Sequence, residues 1–214
     1  MEELKKFLSR RRCEKGGGYT HTSIANPAGS YTIPPGDTAE FIQLYKRAMV
    51  SGAMLHLTEK PTLLSPMRTD LDFRFVLPTT APSSSVGHKR MYLPEDIERI
   101  VRCYFQIMVK YLNAPPASLY AVVMEKPGPV EYRTKLKDGL HIMWPELMVD
   151  AAFQHWIRHQ IIENAETVFA GLPTTNLPDD IVDKAIIDRN NWQMYGSTKP
   201  DAPPYRITRY YRYA

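Results

Sequence analysis

The chain has 214 residues, 43% hydrophobic and 23% charged, so it can bury the core of one domain or of two small lobes. Its net charge of +4 is compatible with a polyanionic partner but does not require one. No apolar run reaches the length of a membrane span, and the charged N-terminus argues against a signal peptide and against secretion. The two cysteines, Cys13 and Cys103, lack metal-ligand spacing, so we expect an intracellular protein without a structural zinc ion.

Helical and strand patterns are intermixed along the chain, which predicts the α/β or α+β class. The predicted elements, in order, are a helix over 2–12, a strand over 19–24, a helix that carries Phe41, Leu44, Tyr45 and Met49 and ends near Gly52, strands over 53–57 and 67–76, a helix opened by Pro94 and ended by Pro115, strands over 119–124 and 139–144, a helix over 149–169, and a strand over 205–210. The stretch 78–88, rich in Pro, Ser and Thr, reads as a flexible loop.

Basic residues are concentrated at the two ends of the sequence. Near the start these are Lys5, Lys6, Arg10, Arg11, Arg12 and Lys15, and near the end Arg206, Arg209 and Arg212 alternate with Tyr205, Tyr210, Tyr211 and Tyr213. Basic side chains interleaved with aromatic ones suit phosphate contacts combined with base stacking. A solvated helix and an ordinary edge strand explain the same residues, and the sequence leaves both interpretations open.

The segment 69–75, TDLDFRF, carries the first candidate site. On a strand, Asp70, Asp72 and Arg74 share one face, while the leucine and the two phenylalanines share the other. Two carboxylates at this spacing repel each other unless divalent cations neutralise them. An Asp-x-Asp pattern also occurs on ordinary exposed strands, so metal binding is a hypothesis at this point.

The segment 137–145, KDGLHIMWP, carries the second. If it is a strand, Lys137, Gly139 and His141 line one face, and Leu140 and Ile142 point to the core. Gly139 would let a phosphate or another backbone approach closely, and the two basic side chains would donate hydrogen bonds to phosphate oxygens. A packed strand histidine is the alternative for His141.

The third candidate site lies near the C-terminus. Asp183 follows two hydrophobic residues and is a candidate third metal-facing carboxylate, and the segment 195–199, YGSTK, reads as a turn with Ser197, Thr198 and Lys199 as phosphate donors. An ordinary turn with solvated polar residues is the alternative. The competing carboxylates are Asp179, Asp180 and Asp188.

In this order, the three segments resemble the motifs of the archaeo-eukaryotic primase superfamily. That family carries an Asp-hydrophobic-Asp/Glu motif, then Ser-x-His, then a hydrophobic-Asp motif followed by a Gly-Ser or Ser-Ser turn that ends in lysine. The chain is most similar to the N-terminal primase domains of primase-helicases from large DNA viruses, and segments 19–22, 52–75 and 191–200 look like the giant-virus branch. The resemblance covers nearly the whole chain.

The resemblance implies a single primase catalytic domain, with a small N-terminal α/β unit over about 1–65, an RRM-like mixed sheet over about 66–214, and the active site in the cleft between them. It implies a DNA primase or primase-polymerase that uses two Mg²⁺ or Mn²⁺ ions to join NTPs or dNTPs to the 3′-hydroxyl of a primer on a single-stranded DNA template. The implied metal-binding and catalytic residues are Asp70, Asp72 and Asp183, and the implied nucleotide-binding residues are Lys137, Gly139, His141, Ser197 and Lys199. It also implies a viral protein in the cytoplasm or nucleus of a host cell, with a helicase domain in the full-length protein.

Gly139 departs from the family, which usually has serine there; if this position faces the phosphates, Gly139→Ser should be tolerated. The chain contains no P-loop signature and no cysteine cluster, so neither a helicase half nor a zinc module is part of it. Two other functions remain open. A metal-dependent nuclease would use the same carboxylates but has less need of His141 and Lys199. A non-catalytic DNA-binding module of a replication protein has no use for Asp70 and Asp72 on one face.

Overall fold

The structure, a computed structural model, describes residues 1–14, 18–25, 27–78 and 87–213. The predicted loop over 78–88 therefore lies mostly outside the described residues. The helices are α1 (Glu2–Ser9), α2 (Thr38–Val50), α3 (Pro94–Val109), α4 (Ala151–Glu163), α5 (Ala165–Val168), α6 (Pro178–Ile181) and α7 (Ala185–Asp188), with 3₁₀ turns at Pro35–Asp37 and Pro116–Ser118. The strands are β1 (Arg12–Cys13), β2 (His21–Ser23), β3 (Gly29–Tyr31), β4 (Leu57–Glu59), β5 (Ser65–Val76), β6 (Tyr120–Glu125), β7 (Val130–Tyr132), β8 (Lys135–Val149), β9 (Trp192–Gln193) and β10 (Arg206–Arg212). Among the described residues, no helix is both long and apolar enough to cross a bilayer.

The chain divides into two compact units. The first comprises Met1–Pro61 and Asn190–Arg206, and the second comprises Thr62–Arg189 and Ile207–Ala214. The expected division, with all of 66–214 in one unit, is corrected here. The segment 190–206 belongs to the first unit because β9 pairs with the edge of β4, and because Met194 is buried in the first unit's core.

The first unit is a five-stranded sheet in the order β1-β3-β2-β4-β9, and the core that it shares with α1 and α2 includes Phe7, Tyr31 and Phe41. The helix predicted to end near Gly52 is confirmed as α2. The prediction of a strand over 53–57 is wrong, because the chain at the start of this segment still caps the C-terminal end of α2. Gly52 adopts φ 77, which favours glycine, and the N–H of Ala53 donates to the carbonyl of Ala48 at 3.1 Å. Strand β4 begins only at Leu57.

The first unit also accounts for part of the basic N-terminal cluster. Arg11 donates to the Asp37 carboxylate at 2.6 and 2.8 Å, and its guanidinium lies 3.5 Å from the centre of the Phe7 ring. Arg11 therefore stabilises this unit and is not a free cation. Lys15 lies outside the described residues.

The second unit is built on a sheet in the order β10-β6-β8-β5, with β7 pairing to β8. Strand β8 pairs with β5, β6 and β7, in each case antiparallel. It runs from Lys135 to Val149, well beyond the predicted 139–144, because its outer residues gain partners on β5 and β7. Several helices accompany the sheet, which confirms the predicted α+β class.

Helices α3 and α4 supply the apolar residues that fill the core beside this sheet. The predicted stripe of α3 is confirmed, since Ile97, Val101, Tyr104 and Met108 are all fully buried. The helix predicted over 149–169 is interrupted at Asn164, whose side-chain amide donates to the carbonyl of Gln160 at 2.8 Å. An asparagine that bonds to its own preceding turn competes with the helical pattern, which explains the break between α4 and α5.

A buried charged network ties the loop before α3 to the sheet. Arg90 contacts the carboxylates of Glu125 on β6 and Asp138 on β8, and Arg209 on β10 reaches Glu125 at 3.2 Å. Tyr92 donates to Glu125 at 3.1 Å. Because both carboxylates are almost fully buried, these partners offset a desolvation cost of several kcal/mol per ion.

The network predicts a pH-dependent stability. Burial raises the pKa of Asp138 from 3.8 to about 6, although Arg90 opposes the shift. An acid with a raised folded-state pKa stabilises the fold fully below its unfolded pKa, and this stabilisation is lost as the pH rises through about 6. Relative to Asp138→Asn, the free energy of unfolding of the wild type should therefore fall by roughly 2 to 3 kcal/mol between about pH 4 and pH 7.

Urea unfolding at a series of pH values measures this difference, with the exposed Asp180→Asn as the matched control. Parallel pH profiles for the wild type and Asp138→Asn would contradict the assignment. A change of equal size in the control would do so as well.

Candidate active site

The two polar faces predicted for β5 and β8 are one face of the second unit's sheet. Asp70 stands opposite His141, Asp72 opposite Gly139, and Arg74 opposite Lys137. Directly opposed residues on antiparallel strands point to the same side of a sheet. The leucine and phenylalanines of β5, and the apolar residues between the polar positions of β8, are fully buried on the core side. The predicted alternation is confirmed for both strands.

Each carboxylate of β5 has a basic partner on β8. The amino group of Lys137 lies 3.0 Å from one oxygen of Asp72 and 3.1 Å from the other. The Nε2 atom of His141 lies 3.5 Å from an oxygen of Asp70, and the His141 side chain is buried. The face thus carries acidic groups and groups able to bind phosphate side by side.

Asp183 lies beside Asp70, although the sequence separates the two residues widely. The N–H of Asp183 donates to the carbonyl of Asp70 at 3.0 Å, and Val182 forms an antiparallel bridge with Leu71. The chain there runs along the edge of β5 that β8 does not occupy. One Asp183 oxygen accepts from the N–H of Ala185 at 2.9 Å, which holds the carboxylate in a tight turn.

The three carboxylates are close enough to influence one another. Burial raises the pKa of Asp72, and the negative charges of Asp70 and Asp183 raise it further, while Lys137 opposes them. Repulsion within a partly buried acidic group favours a bound cation.

Two of the three competing carboxylates form ion pairs elsewhere in the second unit. Asp179 accepts from Arg158 at 2.9 Å, and Asp188 pairs with His155 at 3.0 Å. Asp180 is exposed in the first turn of α6. Of the four candidates near the C-terminus, Asp183 is the one that bonds to β5.

Asn176 is a positioning residue that sequence reasoning missed. Its side-chain amide donates to the carbonyl of Asp72 at 2.8 Å, and its side-chain oxygen accepts from the N–H of Arg74 at 3.0 Å. An asparagine used in this way pairs with the edge of β5 like another strand and fixes the backbone on both sides of Phe73. A single asparagine in a proline-containing loop carries no sequence signal for that role.

Gly139 is required by the backbone beside it. A Cβ atom at this position would lie 2.4 Å from the carbonyl oxygen of Leu71 and 3.6 Å from an oxygen of Asp72. Of the two reasons considered for a glycine here, the structure supports the close approach of another backbone. The expectation that Gly139→Ser is tolerated is therefore wrong, because its Cβ overlaps a backbone atom that cannot move without shifting β5.

The predicted role of Ser197 as a phosphate donor is also corrected. The residue is 1% exposed, and its hydroxyl accepts from the N–H of Leu57 at 2.9 Å. The Tyr45 hydroxyl donates to the carbonyl of Tyr195 at 2.8 Å, so at the 2.8 Å contact between the two hydroxyls Ser197 is the donor. With its proton and an acceptor site used inside the first unit, Ser197 stabilises the turn and does not present a donor to phosphate.

Lys199 belongs to the first unit and is exposed. Nothing in its surroundings assigns it a role, so its contact with a triphosphate stays a prediction.

Comparison with known proteins identifies the family. The sequence model described as the C962R protein N-terminal AEP domain, where AEP denotes archaeo-eukaryotic primase, matches residues 20–211. The chain belongs to this family. It is 33% identical over 214 residues to "Putative helicase L207/L206" of Acanthamoeba polyphaga mimivirus, covering 97% of this chain and 22% of that protein. It is 25% identical over 213 residues to "Putative helicase 184R" of Invertebrate iridescent virus 6, covering 90% of this chain and 21% of that protein.

The chain therefore spans about a fifth of the length of the curated relatives that it matches. Both relatives are viral proteins whose names state a helicase, and the family description states a primase domain at an N-terminus. These matches confirm the family resemblance drawn from the three motifs.

The donor set fits a divalent cation such as Mg²⁺ or Mn²⁺. All three candidate ligands supply carboxylate oxygen, which hard cations prefer, and their mutual repulsion would be relieved by positive charge. Within the described residues, no three His, Cys, Asp or Glu side chains stand ready as a metal-binding group. Magnesium is commonly held by one or two carboxylates together with substrate phosphates, so a finished protein cage is not required.

The close backbone approach at Gly139 gives a testable prediction. Gly139→Ser should lower the free energy of unfolding by about 1 to 3 kcal/mol, the usual cost of forcing extra atoms into a packed site. Gly128→Ser is the matched control, because a Cβ there meets only the carbonyl oxygen of His88, at 4.0 Å. Urea unfolding of both variants measures the effect. Equal stability of the wild type and Gly139→Ser would overturn the assignment.

Proposed function

We propose that this domain catalyses template-directed nucleotidyl transfer, as a primase or primase-polymerase that joins NTPs or dNTPs to a 3′-hydroxyl on single-stranded DNA. The observation that carries the proposal is the placement of Asp183 beside the β5 carboxylates, with Lys137 and His141 opposite them. Membership of the archaeo-eukaryotic primase family supports it. A non-catalytic module has no physical reason to gather three carboxylates, two of which raise the pKa of the third, Asp72.

The acidic group serves to bind cations. Asp70, Asp72 and Asp183 would hold two Mg²⁺ or Mn²⁺ ions, which when bound activate the attacking hydroxyl and neutralise the leaving pyrophosphate. Asn176 fixes the backbone of β5 around Asp72, and the turn at Ala185 fixes the carboxylate of Asp183. Both ligands are therefore oriented by the fold before a substrate arrives, which reduces the entropy lost on binding.

Lys137 and His141 serve to bind phosphate. In the chain by itself, the ammonium group of Lys137 pairs with Asp72, and Nε2 of His141 lies 3.5 Å from an oxygen of Asp70. With the carboxylates engaged by cations, Lys137 and His141 would donate hydrogen bonds to the phosphate oxygens of the incoming nucleotide.

The domain's wider setting follows from its relatives. We infer that it is the primase part of a longer viral primase-helicase that acts inside the host cell, because both relatives are several times longer and carry helicase names. The template strand would be held mainly through its phosphates, with little readout of base sequence.

The first test replaces the carboxylates by isosteric amides. Asp70→Asn and Asp72→Asn should each reduce nucleotide incorporation on a primed template by at least about a hundred-fold, because each removes an anionic ligand for the ions. The folded chain should survive, since each change also removes charge repulsion within the acidic group. Incorporation of labelled nucleotides measures the first effect, and thermal melting measures the second.

Asp180→Asn, which changes one of the competing carboxylates, is the matched control and should retain full incorporation. If Asp72→Asn incorporates nucleotides like the wild type at saturating metal, the site assignment is wrong. Shortening of the primer strand by the wild type, without any extension, would instead favour the nuclease.

A second test concerns the first unit. Lys199→Ala should raise KM for the nucleotide or lower kcat by about ten- to a hundred-fold, because one charge-assisted hydrogen bond to phosphate contributes roughly 1.5 to 3 kcal/mol. Template affinity should hardly change. Lys46→Ala, at another exposed lysine of the first unit, is the control. Loss of template affinity with normal nucleotide kinetics would assign Lys199 to DNA binding.

A further inference from the structure

Two tyrosine rings lie together at the end of the second unit's sheet. The ring centroids of Tyr120 on β6 and Tyr210 on β10 are 5.2 Å apart, with an angle of 33° between the planes. The Tyr210 side chain is 49% exposed and that of Tyr120 is partly exposed. An exposed aromatic pair is not needed to fill the core, so its position requires another explanation.

The pair lies on the sheet face that carries the candidate active site. Met124 of β6 stands opposite His141, and Tyr120 is four residues before Met124, so the three side chains share that face. Ala121 and Val123, which point to the other side, are fully buried in the core. Tyr210 contacts Tyr120 and therefore lies on the same face.

The alternating basic and aromatic residues of β10 divide between the two faces. Arg209 pairs with the buried Glu125, Tyr211 packs against the core, and the Tyr213 ring lies 5.8 Å from that of Phe105. These residues have structural roles. Tyr210 and Arg212 alternate with them and remain exposed on the opposite side.

Arg212 places a positive charge beside the aromatic pair. Its Nε–H donates to the hydroxyl of Tyr210 at 3.0 Å, and its guanidinium carbon lies 5.5 Å from the centre of the Tyr210 ring. Glu146 is the acid whose charge reaches Tyr120. The arginine lies on the Tyr210 side of the pair, which is where a phosphate would be favoured.

We propose that Tyr120, Tyr210 and Arg212 form a stacking platform for single-stranded nucleic acid, with a base on the exposed Tyr210 ring and a backbone phosphate on Arg212. The proposal rests on the proposed function in one respect, namely that the bound single strand is the template. An exposed aromatic ring beside a cation binds single strands with little sequence preference, because every base has a face that can stack. Neutral apolar partners would leave the charge of Arg212 uncompensated.

The platform is separate from the carboxylates. Asp70 on β5 and Tyr120 on β6 are separated by two strand spacings, which is about 10 Å across the sheet. Tyr120 is also four residues away along its strand, which adds about 13 Å in the strand direction. At roughly 3.4 Å per stacked nucleotide, a strand that reaches both places spans several nucleotides. The platform therefore contacts the strand away from the reacting nucleotide and should affect template affinity more than nucleotide kinetics.

Binding of a fluorescent single-stranded oligonucleotide, followed by anisotropy without metal or nucleotide, tests the proposal. Tyr210→Ala should weaken binding by about five- to a hundred-fold, as loss of one stacked base does elsewhere, while Tyr210→Phe should bind like the wild type. Arg212→Ala should weaken binding and flatten its salt dependence by about one phosphate contact. An oligonucleotide of abasic sites should bind the wild type and Tyr210→Ala equally.

The matched controls lie on the helical side of the same unit. Tyr111→Ala removes a tyrosine that is 59% exposed and whose ring lies 4.3 Å from that of Trp156, and Arg102→Ala removes an exposed arginine. Both should bind the oligonucleotide like the wild type. The proposal is overturned if Tyr210→Ala binds with wild-type affinity, or if Tyr111→Ala loses as much affinity as Tyr210→Ala.

The outcome is distinguishable from a failure of the proposed function. Asp72→Asn should lose incorporation and keep oligonucleotide affinity, whereas Tyr210→Ala should lose affinity. A chain that binds through Tyr210 but incorporates no nucleotide would retain the platform and refute the primase assignment. If Asp72→Asn loses nucleotide incorporation while Tyr210→Ala keeps wild-type oligonucleotide affinity, only the platform is refuted.

Discussion

The antiparallel pairing of β5 with β8 is the constraint on which the candidate site depends. Its register sets Asp70 against His141 and Asp72 against Gly139, so the carboxylates of β5 and the basic side chains of β8 share one face. A shift by one residue would turn every side chain of one strand to the other face. The buried phenylalanines of β5 oppose such a shift, because it would expose them and bury the carboxylates. The hydrophobic core thus fixes the chemistry of the opposite face.

The edge of β5 that faces away from β8 carries the third carboxylate of the candidate site. Asn176 and the turn at Asp183 both bond to its backbone, so the chain after α5 lines the edge of β5 that faces away from β8. This explains how a carboxylate distant in sequence joins the pair on β5. At the other edge of β5, which pairs with β8, the carbonyl oxygen of Leu71 comes too close to Gly139 for any side chain there. The departure from the family's serine is therefore a packing requirement of this chain, and phosphate binding by Lys137 and His141 stays a prediction.

Local sequence patterns predicted those elements whose conformation depends mainly on residues nearby in the sequence. The two faces of β5, the stripe of α3 and the end of α2 follow from alternation, from spacing and from a terminal glycine, and each is confirmed. The return of 190–206 to the first unit, the buried hydroxyl of Ser197 and the bracing by Asn176 depend on partners far away in sequence. No local pattern encodes those partners. For the same reason, the sequence predicts a phosphate contact for Ser197, whereas its hydroxyl bonds to Tyr45 and Leu57 in the first unit.

The central claim is that three carboxylates of one sheet edge bind the cations of a nucleotidyl transfer site. Titration of Mn²⁺ into the chain, followed by electron paramagnetic resonance with and without a non-hydrolysable nucleoside triphosphate, tests it most directly. The account predicts two bound ions per chain when the nucleotide is present, and loss of that binding in Asp72→Asn but not in Asp180→Asn. Binding of Mn²⁺ and nucleotide that is the same in the wild type and in Asp72→Asn would contradict it.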